Sequence, residues 1–92
     1  MRFPVRLTVG GLLDLCRQNQ GSCIAYTLGA PDSFAAAQAY AGRPAQFCVP
    51  EGTTNARMTQ VVFDFIRANP DRGNLSAGMV VVMALNGAFP CG

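Results

Sequence analysis

Four cysteines in a chain of 92 residues constrain this sequence more than any other feature. They stand at positions 16, 23, 48 and 91, an even number in a chain too short to rely on its hydrophobic core alone. Such a set is typical of a disulfide framework formed in an oxidising compartment. Zinc is one rival, but zinc ligands usually occur in close pairs and the chain has no histidine to complete a mixed site. Free core thiols are the other rival. We expect two disulfides, no metal and no cofactor.

The length fits one domain over residues 1–92, with an ordered core over about 11–91. Half of the residues are apolar and 13% are charged, which favours a packed fold over disorder.

Hydrophobic periodicity predicts four helices, and the third is the clearest because its apolar residues follow the i, i+3, i+4 pattern until Pro70. These apolar residues are Met58, Val61, Val62, Phe65 and Ile66. The other helices are predicted over about 11–18, 22–41 and 75–88. Ser22 is the expected N-cap of the second. The chain is therefore predicted to be all-α, a small four-helix domain stapled by two disulfides.

Three details of the helices are also predicted. Gly10 and Gly11 argue against an earlier start of the first helix. Pro31 predicts a kink or a short break in the second. The fourth is apolar on every side, as expected of a central, fully buried helix.

Helix topology favours one cysteine pairing. If the first two helices meet across residues 19–22, Cys16 lies near Cys23. If the last two form an antiparallel hairpin, Cys48 lies near Cys91. Four cysteines allow three pairings, so the other two stay open at this stage.

Absent residue types exclude much chemistry. With no histidine and with arginine as the only basic residue, neither a Ser–His or Cys–His pair nor a catalytic lysine is available, so we expect no enzyme. A net charge of +2 is too small for a nucleic-acid partner. No apolar stretch approaches the ~20 residues that span a membrane.

Disulfides require export, yet residues 1–9 contain no apolar signal core and no cleavage site. We therefore expect an exported protein in processed form, with its signal peptide removed.

Binding residues are sought in loops on the rigid scaffold, over 44–55 and 69–74. Phe63 lies about 140° from the apolar stripe of the third helix at 100° per residue, so it is expected to face away from that core. It is then either an exposed contact residue or a residue that meets another helix of the bundle.

Four motifs carry a family resemblance: LDLC at 13–16, CIAY at 23–26, CVPEG at 48–52 and AFPC at 88–91. In this order and spacing the chain resembles the Tai-type immunity proteins, which protect bacteria against type VI secretion amidase effectors. The resemblance covers nearly all of residues 12–91. The chain departs from the pattern at Ala25, Pro31 and Arg57, which affects local geometry more than the framework.

The resemblance implies a periplasmic, disulfide-bonded, all-α protein, commonly a homodimer, that blocks a papain-like peptidoglycan amidase with a protruding loop. The loop best matches the segment between the third and fourth helices. It gives as partner-binding residues Asn69, Asp71, Arg72, Gly73 and Asn74. The side chains at 71 and 72 are expected to be exposed, and Phe63 becomes a candidate for a dimer or partner surface.

Two other functions stay open. One is an adaptor or structural domain of the cell envelope with a constant partner. The other is a small periplasmic acid-stress chaperone, for which five carboxylates and no histidine provide a weak acid trigger.

Overall fold

The computed structural model describes residues 7–91. The chain forms helices α1 (Val9–Gln18), α2 (Gln20–Tyr40), α3 (Asn55–Ala68) and α4 (Ala77–Ala88), with a 3-10 turn (Pro70–Arg72) between α3 and α4. Within the described range the β pairing is limited to an isolated antiparallel bridge. The all-α prediction is confirmed. Residues 1–6, on which most of the signal-peptide argument rests, lie outside the described residues.

Both expected disulfides are formed, Cys16 with Cys23 and Cys48 with Cys91. The first joins the end of α1 to the start of α2, and the second ties the end of α4 to the loop before α3. The backbone N–H of Cys48 also donates to the carbonyl of Phe89 at 2.8 Å. The favoured pairing is therefore confirmed, and the two alternatives are excluded.

The hydrophobic core lies mainly between α3 and α4, and α1 packs across it. Leu12, Val62, Val81 and Leu85 have no exposed surface. The cluster consists of Val9, Leu12, Val61, Val62, Ile66, Ala77, Val80, Val81, Ala84 and Leu85. The apolar stripe predicted for the third helix thus supplies its share of the core, because three of its members are buried.

Two helices begin earlier than the sequence predicts. α1 starts at Val9, because the Thr8 hydroxyl accepts a hydrogen bond from the N–H of Gly11 at 3.1 Å and caps the helix ahead of both glycines. α2 starts at Gln20 with Asn19 as its N-cap. Ser22, the expected cap, instead donates its N–H to the Asn19 side chain at 2.8 Å.

The expectation of a break at Pro31 is wrong, since α2 runs uninterrupted through it. Cys23, Thr27 and Pro31 are the buried residues of α2 and follow one another at i, i+4 spacing. The proline ring therefore lies on the packed face of α2. The flanking turns are held by tertiary contacts, so one missing backbone donor does not end the helix.

The expectation that α4 is fully buried is also wrong. Met79 is 59% exposed and Leu75, just before the helix, is 38% exposed. Val82 and Met83 are half-buried. The apolar α4 face is defined here as Leu75, Met79 and Val82, and it is open in the single chain.

The last nine residues of α2, 32–40, extend beyond the core. The alanines at 35, 36, 37 and 39 are exposed, and Tyr40 is 96% exposed. Only Phe34 and Gln38 are partly covered there, and the Phe34 ring stacks on Phe47 with centroids 6.1 Å apart. This part of α2 thus contributes little to the core.

Candidate partner-binding site

The segment between α3 and α4, residues 69–74, forms a 3-10 turn rather than an irregular loop. The N–H of Arg72 donates to the Asn69 carbonyl at 3.1 Å, and the N–H of Leu75 donates to the Arg72 carbonyl at 3.2 Å. Pro70 begins the turn with its φ already restricted. The segment therefore has a defined backbone conformation.

Asn69 fixes the entry to this turn. It is the C-cap of α3: its N–H donates to the Ile66 carbonyl at 3.1 Å and its side-chain amide donates to the Phe65 carbonyl at 2.9 Å. These two hydrogen bonds to carbonyls of α3 fix the point at which the helix ends and the turn begins.

The exit from the turn is held by the start of α1. The N–H of Gly10 donates to the Gly73 carbonyl at 3.0 Å, and the N–H of Val9 donates to the Leu75 carbonyl at 2.9 Å. In the opposite direction, the N–H of Ala77 donates to the Leu7 carbonyl at 2.8 Å. Residues far apart in sequence thus determine the geometry of the turn.

Beside the turn lies a concave surface in two adjoining parts, called here the α3 trough. The part next to the turn has a volume of about 400 Å³, and the part next to the start of α2 has about 370 Å³. Phe63 and Arg67 line both parts. The first part is completed by Val9, Leu13, Ile66, Asn69, Pro70 and Gly73. The second is completed by Gln20, Cys23, Ile24, Asn55, Ala56, Thr59 and Gln60.

Phe63 stands at the junction of the two parts and is half-buried. It packs against the edge of the core, although the helical angle predicts that it faces away from the core formed by the α3 stripe. Of the two alternatives, the structure supports contact with neighbouring elements, while part of Phe63 still lines the trough.

Charged side chains lie on and beside the trough and the turn. Arg67 forms an exposed ion pair with Asp64, which also accepts a hydrogen bond from Gln60 at 2.8 Å. Asp71 is exposed, whereas Arg72 is half-buried, so the expectation that both are exposed is wrong for Arg72. Neither forms an ion pair within residues 7–91. Two opposite charges on the turn are thus available to a partner.

Several of the predicted partner-binding residues lie close to one another in the structure. Phe63, Asn69 and Gly73 line one part of the trough, while Asp71 and Asn74 are exposed on the adjoining turn. The sequence analysis missed the lining residues of α1 and of the start of α2, because no local pattern places them beside α3. These residues are Val9, Leu13, Gln20, Cys23 and Ile24.

Among residues 7–91, no group of three or more Asp, Glu, Cys or His residues could hold a metal ion. None of the helices in that range is both long and apolar enough to cross a membrane.

Away from the trough, Tyr26 of α2 reaches α4. A side chain added at Gly78 would place its Cβ 3.4 Å from the Tyr26 hydroxyl. Burial raises the pKa of this hydroxyl above its usual range.

Sequence comparison decides the family. The family model of the Rap1a immunity proteins matches residues 8–91. The chain belongs to the Rap1a immunity protein family. This is a type VI secretion immunity family, so that part of the sequence-based resemblance is confirmed. No curated protein and no solved structure matches the chain.

Membership in the Rap1a family implies an immunity protein that binds a secreted effector protein. Immunity proteins of this kind are generally non-enzymatic, and those of this family are typically periplasmic. The Tai-type subgroup stays a prediction.

Proposed function

We propose that this Rap1a-family chain is a Tai-type periplasmic immunity protein that inhibits a type VI secreted peptidoglycan amidase. Residues 69–74 enter the active-site cleft of the amidase, and the α3 trough receives the surface beside that cleft. One observation carries the proposal: a turn fixed by backbone hydrogen bonds at its exit continues directly into a concave surface through Asn69, Pro70 and Gly73.

A pre-ordered turn is suited to blocking a cleft. Ordering a flexible loop on binding costs free energy, and a turn held by Pro70, Asn69 and the start of α1 has already lost that freedom. Asp71 and Arg72 offer an anion and a cation for charge-assisted hydrogen bonds to opposite charges on the amidase.

The trough supplies contact area that the turn lacks. A stable protein complex buries about 800 Å² on each partner, more than one short turn presents. Phe63 offers an aromatic surface at the centre of the trough, and aromatic residues in such places often dominate binding.

The test is the double variant Asp71→Ala/Arg72→Ala, titrated against the purified amidase by calorimetry. We expect at least about 30-fold weaker binding, equivalent to about 2 kcal/mol, and loss of inhibition. The matched control is Asp32→Ala/Arg43→Ala, which removes the same charges from exposed positions that do not line the trough.

Because Arg72 is half-buried, the thermal stability of both double variants is measured as well, and the single variant Asp71→Ala is included. Binding that is unchanged in all turn variants would place the contact elsewhere. An unmodified chain that neither binds nor inhibits the amidase would refute the proposed target.

For the homodimer, we propose the apolar α4 face as the contact between copies. A two-fold interface brings a surface onto itself, and an uncharged face does so without like-charge repulsion. Light scattering should give twice the chain mass of 9.7 kDa, and Met79→Asp should give the monomer. Gln18→Asp, an exposed change on α1, should remain dimeric. A dimer that survives Met79→Asp would contradict this interface.

The envelope-adaptor and chaperone functions gain no specific support from the described residues. Affinity capture with the oxidised protein separates them from the proposal: a stoichiometric cysteine amidase supports immunity, and envelope proteins alone support the adaptor. Suppression of client aggregation at pH 2 to 3, read by light scattering, would support the chaperone.

A further inference from the structure

The first turn of α1, residues 8–11, lies against the exit of the segment 69–74 although more than fifty residues separate them in sequence. Gly10 and Val9 donate their backbone N–H groups to the carbonyls of Gly73 and Leu75 at 3.0 and 2.9 Å. The contact is therefore made by main-chain atoms, and no local sequence pattern reports it.

These donors are available because of their place in the helix. The first N–H groups of any α-helix lack partners within that helix, and the helix dipole makes this end partially positive. In α1, the Thr8 hydroxyl accepts from Gly11, while the carbonyls of residues 73 and 75 accept from Gly10 and Val9. The start of α1 and the turn thus complete one another's hydrogen bonding.

We propose that the first turn of α1 is the positioning element of the binding turn. Gly10 acts through its backbone N–H, which holds the carbonyl of Gly73, and the Thr8 hydroxyl caps the helical turn that carries this N–H. Together they present Asp71 in one conformation before the partner arrives. This inference rests on the proposed function, since it concerns how that same site is prepared for binding.

Position 10 offers a matched pair of variants. A Cβ at this position would lie 3.6 Å from the Gly73 oxygen, an ordinary contact, so Gly10→Ala keeps the N–H and the fold. Gly10→Pro removes the N–H in the first helical turn, where proline is tolerated best. The pair therefore differs in the hydrogen bond to residue 73 and in the restriction that proline places on the backbone of Val9.

The first readout is amide hydrogen exchange of the protein without any partner. We expect the amides of Arg72 and Leu75 to exchange roughly tenfold faster in Gly10→Pro and within about twofold of the parent in Gly10→Ala, because the lost bond lets the turn open. The amide of Asn19, bonded to Leu15 at the other end of α1, serves as the internal control and should not change. Equal exchange of Arg72 and Leu75 in the two variants would overturn the inference.

The second readout is affinity for the captured partner. Gly10→Pro should bind roughly tenfold more weakly than Gly10→Ala, although the residues of the turn are unchanged. Faster exchange with equal affinity would also overturn the inference, because the turn would then not need to be held. Failure of the parent chain to bind an amidase is a separate outcome that refutes the proposed function, since the exchange experiment contains no amidase.

A second pair covers the case in which Gly10→Pro does not fold. Thr8→Ala removes the acceptor for the N–H of Gly11, and Thr8→Ser retains it. We expect about fivefold faster exchange at Arg72 and Leu75 in Thr8→Ala, and restoration in Thr8→Ser. Parent-like exchange in Thr8→Ala would contradict a positioning role for this turn.

Discussion

The two disulfides should contribute unequally to stability, and the structure gives the size of the difference. Cys48 and Cys91 are 43 residues apart, whereas Cys16 and Cys23 are 7 apart. In the chain-entropy description, a cross-link removes freedom from the unfolded chain in proportion to the logarithm of loop length. The longer loop is thus worth about 4.0 kcal/mol and the shorter about 2.4 kcal/mol at 25 °C.

The perturbation is a pair of double variants, Cys48→Ala/Cys91→Ala and Cys16→Ala/Cys23→Ala. The free energy of unfolding should fall by about 1.6 kcal/mol more in the first variant than in the second. This difference corresponds to a melting temperature lower by roughly 6 to 13 °C. Burial reduces this contrast, because Cys23 is only 5% exposed and its truncation also leaves a small void.

The assay is urea unfolding followed by far-UV circular dichroism at one temperature, with a linear fit for each variant. A loss in the Cys16/Cys23 variant equal to or larger than that in the Cys48/Cys91 variant would refute loop entropy as the main contribution. Removing both disulfides should cost about 6 kcal/mol, close to the whole net stability of a small domain, so the fully reduced protein should be unfolded at 37 °C.

Three further predictions follow from burial and hydrogen bonding. Val62→Ala should lower the free energy of unfolding by about 2 kcal/mol because Val62 is fully buried, whereas Met79→Ala should change that of the monomer by less than about 0.5 kcal/mol; urea unfolding measures both. Because burial raises the pKa of Tyr26 in the folded state, the contribution of this hydroxyl to stability should be fully present below about pH 10 and be lost as pH rises through that raised value. The same pH series on Tyr26→Phe should lack this component. Asn69→Ala should cost about 1 kcal/mol through the lost amide hydrogen bond, and Asn74→Ala, an exposed change, less than about 0.5 kcal/mol; equal melting temperatures would contradict the capping role of Asn69.

Much of the framework could be predicted from local patterns. The apolar stripe of α3 repeats at helical spacing and ends at a proline, so its position and buried face follow from sequence alone. The disulfide pairing followed from the order of the helices, because consecutive helices joined by short turns place neighbouring ends together.

The start of α1 could not be predicted in this way. Gly10 and Gly11 disfavour a helix by intrinsic propensity, but their effect is opposed by the Thr8 cap and by acceptors at Gly73 and Leu75. Those acceptors are distant in sequence. The predicted start of α1 is therefore wrong because hydrogen bonds to residues distant in sequence determine the local structure there.

The sequence analysis also predicted a fully buried α4 and did not indicate which of its apolar residues are exposed. A helix that is apolar on every side is typical of a central buried element. The same composition also fits a helix with one face that is exposed in the single chain and packs against another chain. The difference depends on how far α2 and the loop before α3 extend over Met79 and Val82, and no periodicity encodes that.

The exposed alanines of α2 affect how readily the end of this helix can accept substitutions during evolution. At 1.5 Å per residue the 21-residue helix is about 31 Å long, yet residues 32–40 touch the rest of the domain mainly through Phe34 and Gln38. Replacing an exposed alanine there costs only the difference in helix propensity, at most about 0.7 kcal/mol for ordinary residues. Substitutions can thus accumulate along this helix end while the core and the turn between α3 and α4 keep their geometry.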